Sequence, residues 1–154
     1  MRIGGSPAVH RPVGVGPRDD AMRMARMCYD HIAGRLGLAI AESLLAEQAI
    51  EFDGDGGLIT DRAPKVFQQW GLTLKAEPSK SRHVRAYCRP CLDWSERKSH
   101  LAGRLGAMIC THCLESGWLN RAAGTRTLVI SPEGARTFRE RLGLDAWRRV
   151  TDRP

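Results

Sequence analysis

The chain repeats itself. His31-Ile32-Ala33-Gly34-Arg35-Leu36-Gly37 returns as His100-Leu101-Ala102-Gly103-Arg104-Leu105-Gly106, identical at six of seven positions and displaced by 69 residues. The register continues, with Ile40 on Ile109, Leu45 on Leu114 and Ile50 on Leu119. Upstream, Cys28-Tyr29-Asp30 corresponds to Cys91-Leu92-Asp93, with six extra residues before the second histidine. Downstream, Leu58-Ile59-Thr60 matches Val129-Ile130-Ser131, Phe67 matches Phe138, and Gly71-Leu72 matches Gly143-Leu144. A tandem duplication of a unit of about 60 to 70 residues restricts the chain to two related bodies or one body built twice over.

The duplication organises the rest of the reading. Residues 1–18 are rich in chain breakers, including Gly4, Gly5, Pro7, Pro12, Gly14, Gly16 and Pro17, and are expected to be a flexible lead-in or interdomain linker. The first repeat spans 19–74, a basic connector 75–90, the second repeat 91–145 and a C-terminal tail 146–154. In the first repeat Asp19 or Asp20 can cap a helix. Met24, Met27, Cys28 and His31 recur at helical spacing and lead into Ile32, Leu36, Ala39, Ile40 and Leu44. Gly34 and Gly37 mark a break or a close helix contact. An acidic, turn-rich loop at 51–57 precedes the short strand Leu58-Ile59. Thr60 then caps a helix carrying Val66, Phe67 and Trp70, which Gly71 ends.

The second repeat follows the same order: a helix over about 99–116, a strand from Trp118-Leu119, a turn at Ala122-Ala123-Gly124-Thr125, and a return over Thr127–Ile130. Its last helix begins with Ser131 as N-cap and Pro132 at the first position, where a missing N–H costs nothing. Helix, short β-hairpin wing and capped helix make up the back half of a winged helix, whose hairpin can touch DNA backbone or minor groove. The expected fold class is α+β, mainly helical, with two tandem winged-helix-like repeats.

Charge distinguishes the copies. The chain has 24 Lys and Arg against 17 Asp and Glu, a net charge of +7, which suits a polyanionic partner. The first hairpin carries Glu51, Asp53 and Asp55; the second carries Arg121 and Arg126, with Lys98 and Arg104 on or near the preceding helix. Phosphate contacts require cations, so Lys98, Arg104, Arg121 and Arg126 are the candidate DNA-binding residues, against the plainer reading of a solvated basic surface.

The cysteines admit two readings. Cys88-x-x-Cys91 and Cys110-x-x-Cys113 have the spacing of a zinc ribbon, with His112 as a spare ligand. Yet the residues between the pairs have helical periodicity, and the duplication aligns Cys110 with Ala41 and Cys113 with Leu44, ordinary core positions where free cysteine packs well. A separate constellation recurs at the start of each repeated helix: Cys28, Asp30 and His31 in the first copy, Cys91, Asp93, Trp94 and His100 in the second. It is either a sensor for a metal or small molecule, or a structural network in which carboxylate and imidazole satisfy backbone donors. The tryptophans at 70, 94, 118 and 147 are expected to be core and interface anchors.

No glycine-rich phosphate loop follows a strand, and no nucleophile has an identifiable base, so the chain is not expected to be an enzyme. No apolar run approaches the roughly 20 residues that span a bilayer, and a soluble cytoplasmic protein with thiols or metal-bound cysteines is expected.

At Cys28-Tyr29-Asp30-His31-Ile32-Ala33-Gly34-Arg35-Leu36-Gly37, and at Cys91-Leu92-Asp93-Trp94-Ser95-Glu96-Arg97 followed by His100-Leu101-Ala102-Gly103, the sequence resembles the C-terminal half of one branch of the ArsR-type winged helix-turn-helix transcriptional regulators. The similarity runs from about Gly16 to Leu144. The resemblance implies a bacterial, usually homodimeric transcription factor on double-stranded DNA, whose N-terminal winged helix reads the operator while the C-terminal half assists or senses. On this resemblance the sequence is expected to begin in the linker, without that N-terminal domain. The alternative expectation is a zinc-ribbon-like metal-binding adaptor without DNA recognition of its own.

Overall fold

In the computed structural model, which describes residues 19–74 and 87–152, the first repeat opens with a short capped helix as expected, but strands stand at 26–33 and 99–102 where helix was expected. Helix α1 (Asp20–Met24) is capped by Asp19, whose carboxylate accepts a hydrogen bond from the Ala21 N–H at 3.0 Å. The chain then forms β1 (Arg26–Cys28) and β2 (His31–Ala33), paired antiparallel with Met27 opposite Ile32 and Cys28 opposite His31. Tyr29, at φ 63°, reverses the chain between them. Gly34, at φ 82°, turns it from strand into α2 (Gly34–Ala46), and a Cβ there would meet the Arg23 carbonyl oxygen at 2.7 Å. Only glycine suits both demands. Both faces of this hairpin are buried, so its apolar residues show no strand alternation and their spacing imitates a helix.

The first repeat continues through β3 (Ile50–Asp53), β4 (Gly56–Ile59) and α3 (Ala63–Gln69). The second runs β5 (Arg89–Leu92), β6 (Ser99–Ala102), α4 (Gly103–Glu115), β7 (Leu119–Arg121), β8 (Leu128–Ile130), α5 (Pro132–Leu142) and α6 (Leu144–Thr151). Gly103 again has φ 82°. The Ser131 hydroxyl accepts from the Gly134 N–H at 2.9 Å, as expected of an N-cap. Among the described residues the architecture is mixed α/β, with helices and small antiparallel hairpins. The lead-in 1–18 and residues 75–86 of the connector lie outside the described residues. Most of the stretch read as a tail is α6, which packs against α2.

The repeats are interleaved. Helix α2 packs on β6 and α4 on β2. Within each copy, Gly37 and Gly106 let the helix lie close on its own strand, since a Cβ at either would run into the carbonyl oxygen of Ile32 or Leu101. Ile32, Gly37 and Ile40 meet their own counterparts Leu101, Gly106 and Ile109 around one small interstice. The second hairpins are exchanged as well. The Met27 N–H donates to the Arg126 carbonyl at 2.8 Å and the Leu128 N–H to the Ala25 carbonyl at 2.9 Å, tying β8 to β1. On the other side Gly57 lies so close to Cys88, the counterpart of Ala25, that a Cβ would meet its carbonyl oxygen at 2.8 Å.

One core therefore serves both copies, with Leu36, Leu44 and Phe67 from the first and Leu105, Leu119 and Phe138 from the second fully buried. Burying each such side chain contributes about 1.5–3 kcal/mol. Trp70, Trp118 and Trp147 surround Phe138 with ring centroids 6.0 to 6.4 Å from it, whereas Trp94 is largely in solvent. Among the described residues no helix is long and apolar enough to cross a membrane.

Candidate functional site

The antiparallel register puts one cysteine directly opposite one histidine at the end of each opening hairpin: Cys28 opposite His31, and Cys91 opposite His100. The interleaving of the copies then brings the two hairpins together. One ligand atom from each of Cys28, His31, Cys91 and His100 lies within 4.8 Å of all the others. The histidines form the floor, at 3 % and 1 % exposure, with their Nε2 atoms 3.0 Å apart and their rings tilted by 44°. The two cysteines are half-buried and leave the cluster open on the sulfur side.

Carboxylates orient both rings. His100 Nδ1 donates to Asp93 Oδ2 at 3.0 Å, and His31 Nδ1 lies 3.2 Å from Asp30 Oδ1. Asp93 is fully buried and reaches across the joint. Its Oδ2 also accepts from the Gly34 N–H at 2.6 Å, at the start of α2 in the other repeat. Its Oδ1 accepts from Arg26 Nη2 at 3.1 Å and from the Ser95 hydroxyl at 2.7 Å. Burial alone would raise this carboxyl. The bonds from His100, Ser95 and Gly34, together with the Arg26 charge, outweigh it and hold Asp93 well below the usual carboxylate range. Each ring thus points Nδ1 at a carboxylate, and the two Nε2 atoms meet in a 3.0 Å hydrogen bond in which one ring supplies the proton and the other the lone pair. Carboxylate, imidazole and inward-facing Nε2 is the arrangement that orients histidine toward a cation.

The remaining titrations reflect the same enclosure. Burial lowers His31, an effect that Asp30 opposes and the neighbouring His100 reinforces. Cys91 is pushed up to about 11, first by burial and then by the adjacent Cys28 sulfur.

The structure does not bring Cys88, Cys91, Cys110 and Cys113 together. Cys91 belongs to the cluster just described, while Cys88, Cys110 and Cys113 are buried in the core. Burial pushes the Cys88 thiol up to about 12 and is the first cause of a rise to about 11 at Cys110, whose Sγ lies 3.5 Å from Met27 Sδ. Burial raises Cys113 as well. Cys110 and Cys113 lie on the core face of α4, as Ala41 and Leu44 do on α2. His112, the expected spare ligand, donates from Nε2 to the Trp70 carbonyl at 2.7 Å.

The four basic candidates are all exposed. Lys98 Nζ stands 3.9 Å from Glu42 Oε2, and the Arg104 guanidinium lies over the Tyr87 ring at 5.6 Å from its centroid. Arg121 ends β7 and Arg126 precedes β8, so backbone bonds anchor this hairpin on the first repeat while both side chains face solvent. Trp94 does not join the cluster. Arg26 and Ser95, which hold Asp93, carried no signal in the sequence. Cys28 and His31 in the first copy and Cys91 and His100 in the second were each marked by the sequence, but as two separate constellations.

No family model matches the chain, and no solved structure gives a significant match. Over 123 residues the chain is 33% identical to a Bacillus subtilis (strain 168) protein named "Uncharacterized HTH-type transcriptional regulator YdfF". The alignment covers 80% of this chain and 53% of that protein, so the chain spans about half the length of the curated relative it matches.

Proposed function

We propose that this chain is the regulatory and dimerisation portion of a DNA-binding transcriptional regulator of ArsR type, acting in the cytoplasm as a homodimer on double-stranded DNA. The observation that carries this reading is the match to a relative named as an HTH-type transcriptional regulator, because 123 aligned residues are too many to fit within one repeat. The two interleaved copies correspond to one half of such a protein, read as a pair of winged-helix-like units. Charge supports the second copy as the face toward DNA: its hairpin exposes Arg121 and Arg126, where the first carries Glu51, Asp53 and Asp55.

The test is fluorescence anisotropy of the purified chain with a duplex from its own promoter region, titrated at several salt concentrations. The expected result is an affinity that falls steeply with salt and exceeds that for an unrelated duplex. Replacing Arg121 and Arg126 by Ala should weaken binding and reduce the log–log salt slope by about 2. An unchanged affinity and slope in this double variant contradict the assignment of the hairpin to DNA.

A further inference from the structure

We infer that Cys28, His31, Cys91 and His100 form a tetrahedral binding site for a divalent transition-metal ion of the zinc class, built half by each repeat. The inference stands on geometry alone and does not depend on the DNA-binding reading.

Two thiolates and two imidazoles are the donor set that borderline-soft zinc prefers, and four protein ligands fill a closed tetrahedral site. With zinc–sulfur distances of about 2.3 Å and zinc–nitrogen distances of about 2.0–2.1 Å, tetrahedral geometry separates paired sulfurs by about 3.8 Å and paired nitrogens by about 3.3 Å. All four ligand atoms already lie within 4.8 Å of one another, and the Nε2 atoms, at 3.0 Å, need part only slightly. The supporting shell is present too, since each ring is bonded through Nδ1 to an aspartate. An approach route exists on the side of the half-buried sulfurs. Backbone pairing holds each cysteine opposite its histidine, so the donors are positioned before an ion arrives. An ion here would link β1–β2 to β5–β6 across the joint between the copies.

The test is titration of the purified, reduced full chain with cobalt(II), followed by displacement with zinc(II). The expected result is equimolar binding with the visible absorption of a tetrahedral, thiolate-bound cobalt ion, bleached by zinc. Cys28→Ser and Cys91→Ser should each lose that spectrum. Cys88→Ala and Cys110→Ala, which install the residues the first copy already has at those positions, should keep it. Asp30→Asn alters only an exposed orienting carboxylate and should weaken binding by about 10–100-fold with the fold unchanged by circular dichroism. Absence of equimolar binding to the wild-type chain overturns the inference even if a site variant misfolds. Loss of the spectrum in Cys88→Ala or Cys110→Ala, with retention in Cys28→Ser, overturns it in favour of the four-cysteine set.

Discussion

The two copies begin from the same motif and treat it differently. In the first, two residues separate Cys28 from His31, and the orienting carboxylate, Asp30, sits on the turn with its side chain 54 % exposed and a single hydrogen bond to the ring. In the second, the longer segment between Cys91 and His100 folds Asp93 inward, where it binds His100, Ser95, Arg26 and the first turn of α2. The inserted residues convert a local contact into one that crosses between copies. Their arginines diverge in the same way. Arg35 is buried and donates from Nε to the Val150 carbonyl at 2.9 Å, near the end of α6, whereas its counterpart Arg104 lies on the surface over Tyr87. Duplication supplied equivalent residues, and covering one face with α6 while leaving the other to solvent made them unequal.

This contrast can be broken at its strongest point. Replacing Asp93 by Ala leaves the Arg26 guanidinium buried without its carboxylate, and removing one partner of a buried pair costs about 3–5 kcal/mol. Urea unfolding should show that loss, while Asp30→Ala, at the exposed counterpart, should stay within about 0.5 kcal/mol of wild type. Equal effects would show that Asp93 does not join the copies. A smaller difference is expected at the arginines. Arg35→Ala strips the buried Val150 carbonyl of its donor and should cost about 1–3 kcal/mol. Arg104→Ala loses only a solvent-facing contact with an aromatic ring, worth about 0.5–1 kcal/mol. Thermal melts of the two variants check their order.

Much of the scaffold was legible because repetition and capping chemistry are local. The 69-residue offset located α2 and α4, Ser131 marked the start of α5, and Gly34 and Gly37 marked the break and the close approach. The opening hairpins were not legible. In the first, strands of three residues with both faces buried carry no alternation, and Met24, Met27 and His31 imitate a helical stripe; in the second, Ser99–Ala102 is buried at three of its four positions. The candidate site was half legible. Its members stood out as Cys28 and His31 in one copy and Cys91 and His100 in the other, but only the interleaving of the copies makes them one cluster. The Cys-x-x-Cys spacing pointed elsewhere for a physical reason: Cys88, Cys110 and Cys113 fill apolar core positions that the first copy fills with Ala25, Ala41 and Leu44.

The most direct test of a shared site at the joint is X-ray absorption at the zinc edge on the zinc-loaded full chain, which counts the atoms bound to the ion. The account predicts two sulfur neighbours at about 2.3 Å and two nitrogen neighbours at about 2.0–2.1 Å. A shell of four sulfurs, or zinc held only by oxygen and nitrogen, would contradict it.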